Sequence, residues 1–187
     1  RGFEMCSQCR AEYEDPSDRR FHAQPNAGPS CGPRLGWIDG GAEKTRHGDE
    51  ALLAAADALR AGRIVAVQGL GGFHLVVRAD DGAAVTRLRE RTQRGDKPFA
   101  VMFRDVAAVR ASLGEGVVAD AEADLLESPA APIVLVRVRG GDGIAPEVAP
   151  ASADLGCFVA ATPLHDLLLR EVDFAVVATS GNQRDEP

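Results

Sequence analysis

The chain reads as an α/β protein with a small cysteine-bearing knuckle ahead of its main domain. Three observations predict this. From Asp49 onward, apolar runs of strand length alternate with segments of helical periodicity, the pattern of a largely buried sheet covered by helices. Before Asp49 the sequence is polar, rich in Pro, Arg and Gly, and holds Cys6, Cys9 and Cys31. The chain has 187 residues, 45% of them apolar and 26% charged, which suits one globular domain plus an appendage.

Taken in order, residues 1–35 lack periodicity and cannot build a core, so this knuckle needs a metal or a neighbour to hold it. Residues 36–48 read as a linker, with one short strand at Leu35–Ile38. Residues 49–187 read as the α/β domain, expected to run past the last residue. Asp49 is a helix N-cap and Gly62 its stop, with Leu52, Ala55, Ala56 and Leu59 on one face. Ile64–Val67 is a buried strand that ends in Gly69-Leu-Gly-Gly72, and Phe73–Val77 is a second. Asp81–Arg91 is a helix with Val85 and Leu88 inward. Phe99–Phe103 is a strand, Val106–Leu113 a helix and residues 119–127 a weaker one. Ile133–Val138 is a strand rich in β-branched residues. Residues 140–154 read as a loop and Leu155–Val159 as a strand. Pro163–Arg170 is a helix with Pro in its first turn. Phe174–Ala178 is a strand running into Thr179-Ser180-Gly181-Asn182.

The formal net charge of −7 argues against a non-specific nucleic-acid coat, which wants a basic face. No run of about 18 apolar residues exists, so no bilayer span is expected, and no signal-peptide pattern precedes the knuckle. The first residue is Arg1 rather than Met and the last residues, Asp185-Glu186-Pro187, form a turn. An internal piece of a longer, cytoplasmic protein is therefore expected.

Cys6-Ser-Gln-Cys9 places two thiolates at the spacing that holds one tetrahedral zinc from a tight turn. A second such pair belongs about 15 to 20 residues later. There the chain has Gly28-Pro-Ser-Cys31, with the first thiolate missing. His22 lies nearby and could supply the fourth ligand, giving a Cys3His set. Leftover thiols in a loose knuckle, or a redox pair, are the other readings. The redox reading is disfavoured because no helix is expected to start at the C-x-x-C. Cys157 reads as an inert core thiol, and His47 as an exposed linker residue.

Three further segments suggest an anion site. Gln68-Gly-Leu-Gly-Gly72 follows a strand, and its glycines allow close backbone approach, although a plain turn would look the same. Arg87, Arg89, Arg91, Arg94 and Lys97 put five cations into eleven residues of an acidic protein. Helix-dipole complementarity accounts for Arg89 and Arg91, but Arg94 and Lys97 lie beyond the helix. Thr179-Ser180-Gly181-Asn182 ends an apolar strand, where ligands of open α/β sheets bind. His74, in an apolar strand, and His165, on a helix, read as packing residues when taken singly.

These strings resemble a known family. Cys6-Ser-Gln-Cys9, Glu12-Tyr-Glu-Asp-Pro16, Asp18 through Pro25 and Cys31-Gly-Pro33 are similar to the second zinc finger of the HypF hydrogenase-maturation carbamoyltransferases. Gly69 through Leu75, Lys97 through Met102, Ala131 through Val136, Thr162-Pro-Leu-His165 and Thr179 through Asn182 are similar to the family's YrdC-like domain. The resemblance implies a YrdC-like twisted open mixed sheet with flanking helices, preceded by a zinc-finger-like knuckle. It implies a structural Zn2+ at the knuckle, for which this chain offers Cys6, Cys9 and Cys31, with His22 as the fourth donor on the reading of the residues above. It implies ATP with Mg2+ as substrate, and carbamate released from carbamoyl phosphate, joined as carbamoyl-adenylate. Transfer to a HypE-type acceptor would then use domains outside this stretch. Arg94, Lys97, Ser180 and Asn182 are the expected phosphate and metal contacts, and Phe73 and His74 the expected lining of the carbamoyl end, with no covalent nucleophile. Gly28 stands where the family has Cys, and Gln68 where it usually has Lys. Thr92 replaces the Lys of a K-x-R element, and Arg78 replaces an Asp. Weakened ATP binding is the expectation. Threonylcarbamoyl-adenylate synthesis, double-stranded RNA binding and an inactive paralogue are the alternatives; no membrane partner is expected.

Overall fold

In a computed structural model of the protein, residues 4–40, 45–69, 71–138 and 143–181 are described. The chain divides into two compact units, Arg1–Leu52 and Leu53–Pro187. In the first unit, helix α1 (Ser7–Glu14) starts directly after Cys6, its N-cap. This corrects the expectation that no helix begins at the C-x-x-C. A helix of eight residues with little amphipathicity gives no periodic signal, and hydrogen bonds to its flanks hold it instead. Arg20 Nη1 pairs with Glu12 Oε2 at 2.7 Å, and the Asp15 carboxylate accepts from the backbone N–H and the hydroxyl of Ser17. Strands β1 (Gly36–Trp37) and β2 (Arg46–His47) then pair antiparallel, so His47 is exposed on a short strand rather than in a linker.

Helix α2 (Asp49–Arg60) ends where predicted. Gly62 adopts φ +68°, and the Arg63 N–H returns to the Ala58 carbonyl at 2.9 Å. Its buried residues are Ala51, Ala54, Ala56, Ala58 and Leu59, while Leu52 and Ala55 are half-buried and Leu53 exposed. The expected face was rotated because alanines on several sides of the helix blur its apolar period.

The predicted strands assemble into one six-stranded mixed sheet. They are β3 (Val65–Gln68), β4 (Phe73–Arg78), β5 (Ala100–Phe103), β6 (Val134–Arg137), β7 (Asp154–Val159) and β8 (Val176–Ser180). Their order is β3-β4-β8-β5-β7-β6, with β5 and β7 parallel and every other pair antiparallel. Side chains alternate across the sheet. Val77, Val101, Phe103 and Val177 face a core cluster with Val85 and Leu88 of α3 (Gly82–Thr92), Val109 of α4 (Val106–Leu113) and Leu126 of α5 (Asp120–Glu127). Register puts His74, Val76, Met102, Val176, Ala178 and Ser180 on the opposite face. Helix α6 (Pro163–Val172) and α2 are joined by Arg60 Nη2 to Glu171 Oε1 at 2.9 Å.

Caps set the helix starts. Asp81, Asp105 and Thr162 accept from the N–H groups of Ala84, Ala108 and His165. The segment read as a loop at 140–154 contains a 3-10 turn at Pro146–Val148, and the core buries Val148, whose carbonyl accepts from the Phe99 N–H at 2.9 Å. A single turn is too short to show periodicity in a sequence.

Candidate functional site

Strand register brings the three proposed anion-binding segments to one end of the sheet. Gln68 pairs with Phe73, His74 with Ser180, and Ala100 with Ala178. The glycine-rich turn after β3, the end of β8 and the loop before β5 therefore converge. Two short backbone bonds close this end: Gly69 N–H to the Gly72 carbonyl and Gly181 N–H to the Phe73 carbonyl, both 2.7 Å. Gly181 packs closely there: a Cβ would lie 3.2 Å from both Phe73 Cβ and Phe73 O. Ser180 is exposed and Phe73 nearly half-exposed, so both face a ligand approaching this end. Asn182 lies outside the described residues.

The five cations divide by what they touch. Arg87 donates to the Gly62 carbonyl at 2.6 Å. Arg89 donates to the carbonyls of Glu147, Val148, Gly95 and Lys97, tying the 3-10 turn to the loop before β5. Both serve the fold. Arg94 reaches the site: its guanidinium lies 4.7 Å over the Phe99 ring, and Nη1 donates to Thr179 Oγ1 at 3.2 Å. Thr179, rather than Ser180, is thus the hydroxyl beside Arg94, because the two residues alternate across the sheet. Arg94 also donates to the Pro98 carbonyl at 2.7 Å. Among the described residues no carboxylate pairs with Arg94 or Lys97, and Lys97 is exposed. Burial, then the charge of Arg89, lowers the Arg94 pKa from its very high ordinary value. An anion would relieve both. Thr92 does not face this site, since its hydroxyl donates back to the Leu88 carbonyl at 2.8 Å. Gln68 is exposed at the end of β3. Arg78 is held by both oxygens of Asp80, at 2.6 and 2.7 Å.

The histidines are not separate packing residues. The rings of His74 and His165 stack with centroids 5.4 Å apart and planes at 21°. His165 is buried, and its Nδ1 lies 2.9 Å from Thr162 Oγ1. His74 Nδ1 and His165 Nε2 are both buried without a hydrogen-bond partner. Burial first, and then His74, pushes the His165 pKa down, so the ring stays neutral near pH 7. The pair offers two partnerless ring nitrogens, with His74 opposite Ser180 in the sheet and its ring close to Gly69 of the glycine-rich turn. The available signal was the placement of Thr162 as N-cap with His165 three residues on, which aims the ring back toward the sheet.

The second site is the knuckle. Cys6, Cys9 and Cys31 bring their sulfurs within 4.8 Å of one another, and Cys9 and Cys31 are 3.6 Å apart. Tetrahedral zinc with bonds of about 2.3 Å needs sulfurs about 3.8 Å apart, so the donor set fits the ion. A turn at Gly28 presents Cys31: the Gly28 carbonyl accepts from the N–H groups of Cys31 and Gly32 at 3.2 and 2.7 Å. Burial, then the Cys31 thiol, raises the Cys9 pKa to about 11. Backbone N–H groups of Cys6 and then Gly28 pull Cys31 down to about 7. His22 is not brought to this group. It adopts φ +52°, and its ring stacks on Phe21 at 4.1 Å and on Tyr13 at 5.0 Å. Cys157, far from this cluster in sequence, is buried in the main core, and burial raises its pKa to about 12.

Comparison with known proteins agrees with both halves. A family model described as "Telomere recombination", the Sua5–YciO–YrdC domain, matches residues 57–187, and one described as "HypF finger" matches residues 5–38. The carbamoyltransferase HypF of Rhodobacter capsulatus is 51% identical over 99% of this chain, which covers 24% of that protein. HypF of Synechocystis is 43% identical over 74% of this chain, covering 18% of that protein. The chain thus spans about a quarter or less of the curated relatives it matches. A crystal structure of full-length HypF in a phosphate- and nucleotide-bound form superposes with a TM-score of 0.83 at 44% identity, over 99% of this chain and 23% of that one. Sua5 of P. abyssi, at 17% identity and a TM-score of 0.67 over 75% of this chain and 40% of its own, shares the fold.

Proposed function

The chain belongs to the Sua5–YciO–YrdC family and carries that domain behind a HypF-type finger, as HypF carbamoyltransferases do, and from this premise we propose that it forms carbamoyl-adenylate from ATP and a carbamoyl donor. The observation that carries the reading is the meeting of Arg94 and Thr179 at the glycine-lined end of the sheet, with Arg94 free of any carboxylate among the described residues. A HypF structure is described as nucleotide- and phosphate-bound, and this chain keeps the same order of elements across 99% of its length.

In the reaction, a carbamate oxygen attacks the α-phosphorus of ATP. A new P–O bond forms, the bond from the α-phosphorus to the bridging oxygen breaks, and pyrophosphate leaves with the electron pair. The enzyme's work is to hold two anions together and spread the developing charge. Arg94 and Lys97 supply fixed positive charge, and Thr179 and Ser180 supply hydroxyls for phosphate oxygens. Asn182 is assigned beside them from the sequence. Magnesium would accompany the triphosphate. Phe73 and His74 shape the carbamoyl end, where the stacked rings of His74 and His165 offer partnerless ring nitrogens for hydrogen bonds to the carbamate. In a whole carbamoyltransferase of this family, the product would pass to a HypE-type acceptor for [NiFe] hydrogenase maturation in the cytoplasm, and the finger would hold structural zinc.

The test is carbamate-dependent exchange of labelled pyrophosphate into ATP by the purified chain. Exchange that requires carbamate supports the reading. A folded protein that binds Mg-ATP but shows no exchange with carbamate removes it in favour of an inactive binding domain.

A further inference from the structure

The knuckle departs from a closed zinc finger at one position, and the structure shows what stands there. Three sulfurs cluster within 4.8 Å. A Cβ built on Gly28 would point at this cluster, 3.1 Å from the Cys9 sulfur. A cysteine sulfur one bond further out would complete the four-sulfur set, so Gly28 marks the fourth vertex. Its φ is not in the left-handed region, so the backbone there does not itself demand glycine. No other Cys, His, Asp or Glu among the described residues joins the group, and the His22 ring is engaged with Phe21 and Tyr13. Beside the turn, the Asn26 amide donates to the Cys9 carbonyl at 2.8 Å, while its oxygen is buried with no partner. Such an oxygen is a ready acceptor for a hydroxylic ligand.

We propose that this finger binds zinc as an open three-thiolate site whose fourth ligand is an exchangeable solvent molecule at Gly28, replaceable by an external soft monodentate ligand such as a small thiolate. Closed structural fingers use four protein donors, whereas zinc sites with three protein ligands keep the fourth for water or an incoming ligand. This inference concerns the finger alone and does not depend on the adenylation reading.

Cobalt(II) replaces zinc in such sites and reports its ligands through visible absorption. The full chain is loaded with one equivalent of cobalt, and the spectrum is followed during titration with 2-mercaptoethanol and, separately, imidazole. The expected result is a saturable shift of the ligand-field bands, with thiolate-to-cobalt charge transfer rising in the mercaptoethanol titration. In Gly28→Cys the bands should match the thiol-saturated form from the start and not respond. Zinc affinity of that variant, by chelator competition, should rise by at least on the order of 10-fold, the lower end of what even outer-shell partners contribute. His22→Ala should leave metal stoichiometry and spectrum unchanged. A native spectrum that ignores both added ligands overturns the proposal, since the fourth position is then closed by the protein. Loss of the metal in His22→Ala overturns it in favour of a Cys3His site. Failure to bind any metal overturns it outright. The first and last outcomes need no variant, so a misfolded Gly28→Cys protein leaves the proposal testable.

Discussion

Replacing Arg94 by Met tests the phosphate site with the least disturbance to the fold. Met keeps an unbranched stem over the Phe99 ring, where the guanidinium now lies at 4.7 Å, and removes only charge and donors. The lost contacts within the chain are those to Thr179 Oγ1 at 3.2 Å, to the Pro98 carbonyl at 2.7 and 3.2 Å and to the Lys97 carbonyl at 3.3 Å. The bond to Thr179 is part-buried and those to the Lys97 and Pro98 carbonyls are exposed, where water can replace them, so the stability cost is about 1–2 kcal/mol. A charge-assisted bond to a phosphate oxygen contributes about 1.5–3 kcal/mol, which is roughly a 10- to 150-fold loss of Mg-ATP affinity. The assay is calorimetric titration of the wild-type and variant chains with Mg-ATP and with adenosine, alongside a thermal denaturation curve for each. Because the lost interaction is with phosphate, ATP affinity should fall while adenosine affinity holds. The difference between the two proteins should shrink as salt is raised. Unchanged ATP affinity in a variant with an unchanged melting temperature would refute the assignment. An equal fall for adenosine would show that Arg94 shapes the pocket rather than holding phosphate.

Two further perturbations probe the same end of the sheet. Gly181→Ala would place a methyl 3.2 Å from Phe73 Cβ and its carbonyl oxygen, closer than the ordinary carbon contact of about 3.5–4.0 Å. It should destabilise the chain by about 1–3 kcal/mol, lower the melting temperature and weaken Mg-ATP binding; a variant that melts and binds like wild type contradicts the tight packing. His165 gives a pH signature. Its folded pKa is depressed by burial and then by His74, so the unfolded chain takes up its proton first as pH falls. Stability should therefore drop as pH falls below about 6.5 and level off once pH passes under the folded pKa. Thermal melts of wild type and His165→Leu across that window should diverge in slope, and parallel curves would show that His165 titrates normally.

The strands were legible because they are apolar runs between turn signals, whereas their order and register were not, because pairing between strands distant in sequence leaves no local pattern. The site was legible only in its parts. Five cations in eleven residues look alike in a sequence, yet Arg89 is spent on loop carbonyls and Arg94 reaches Thr179. Which guanidinium is left for a ligand depends on where distant carbonyls fall, and no local pattern carries that. The His74–His165 stack was hidden for the same reason: each ring lies in an apolar setting that fits packing, and only the fold joins them. In the knuckle the thiolates were legible from spacing. The reach of His22 was not, because its left-handed backbone and the rings of Phe21 and Tyr13 turn it aside.

The departures from the family pattern share a physical character that bears on what this chain can still do. Gly28 removes a metal donor but keeps the turn that presents Cys31, since both bonds there use the Gly28 backbone carbonyl. Gln68 removes a cation but keeps its ladder position opposite Phe73. Thr92 removes another, and its hydroxyl bonds to the Leu88 carbonyl within the helix. At Gly28 and Gln68 the backbone contact that shapes the element remains, while Thr92 turns its hydroxyl back onto its own helix. Substitutions of that kind would weaken binding without unfolding the scaffold, so the expected loss of ATP affinity and the proposed open zinc site would share one cause. On the proposed reading, Arg94 and Lys97 would carry more of the phosphate interaction than they would beside two additional lysines, which would make the Arg94 substitution a more sensitive probe in this chain than in a member of the family with both lysines present.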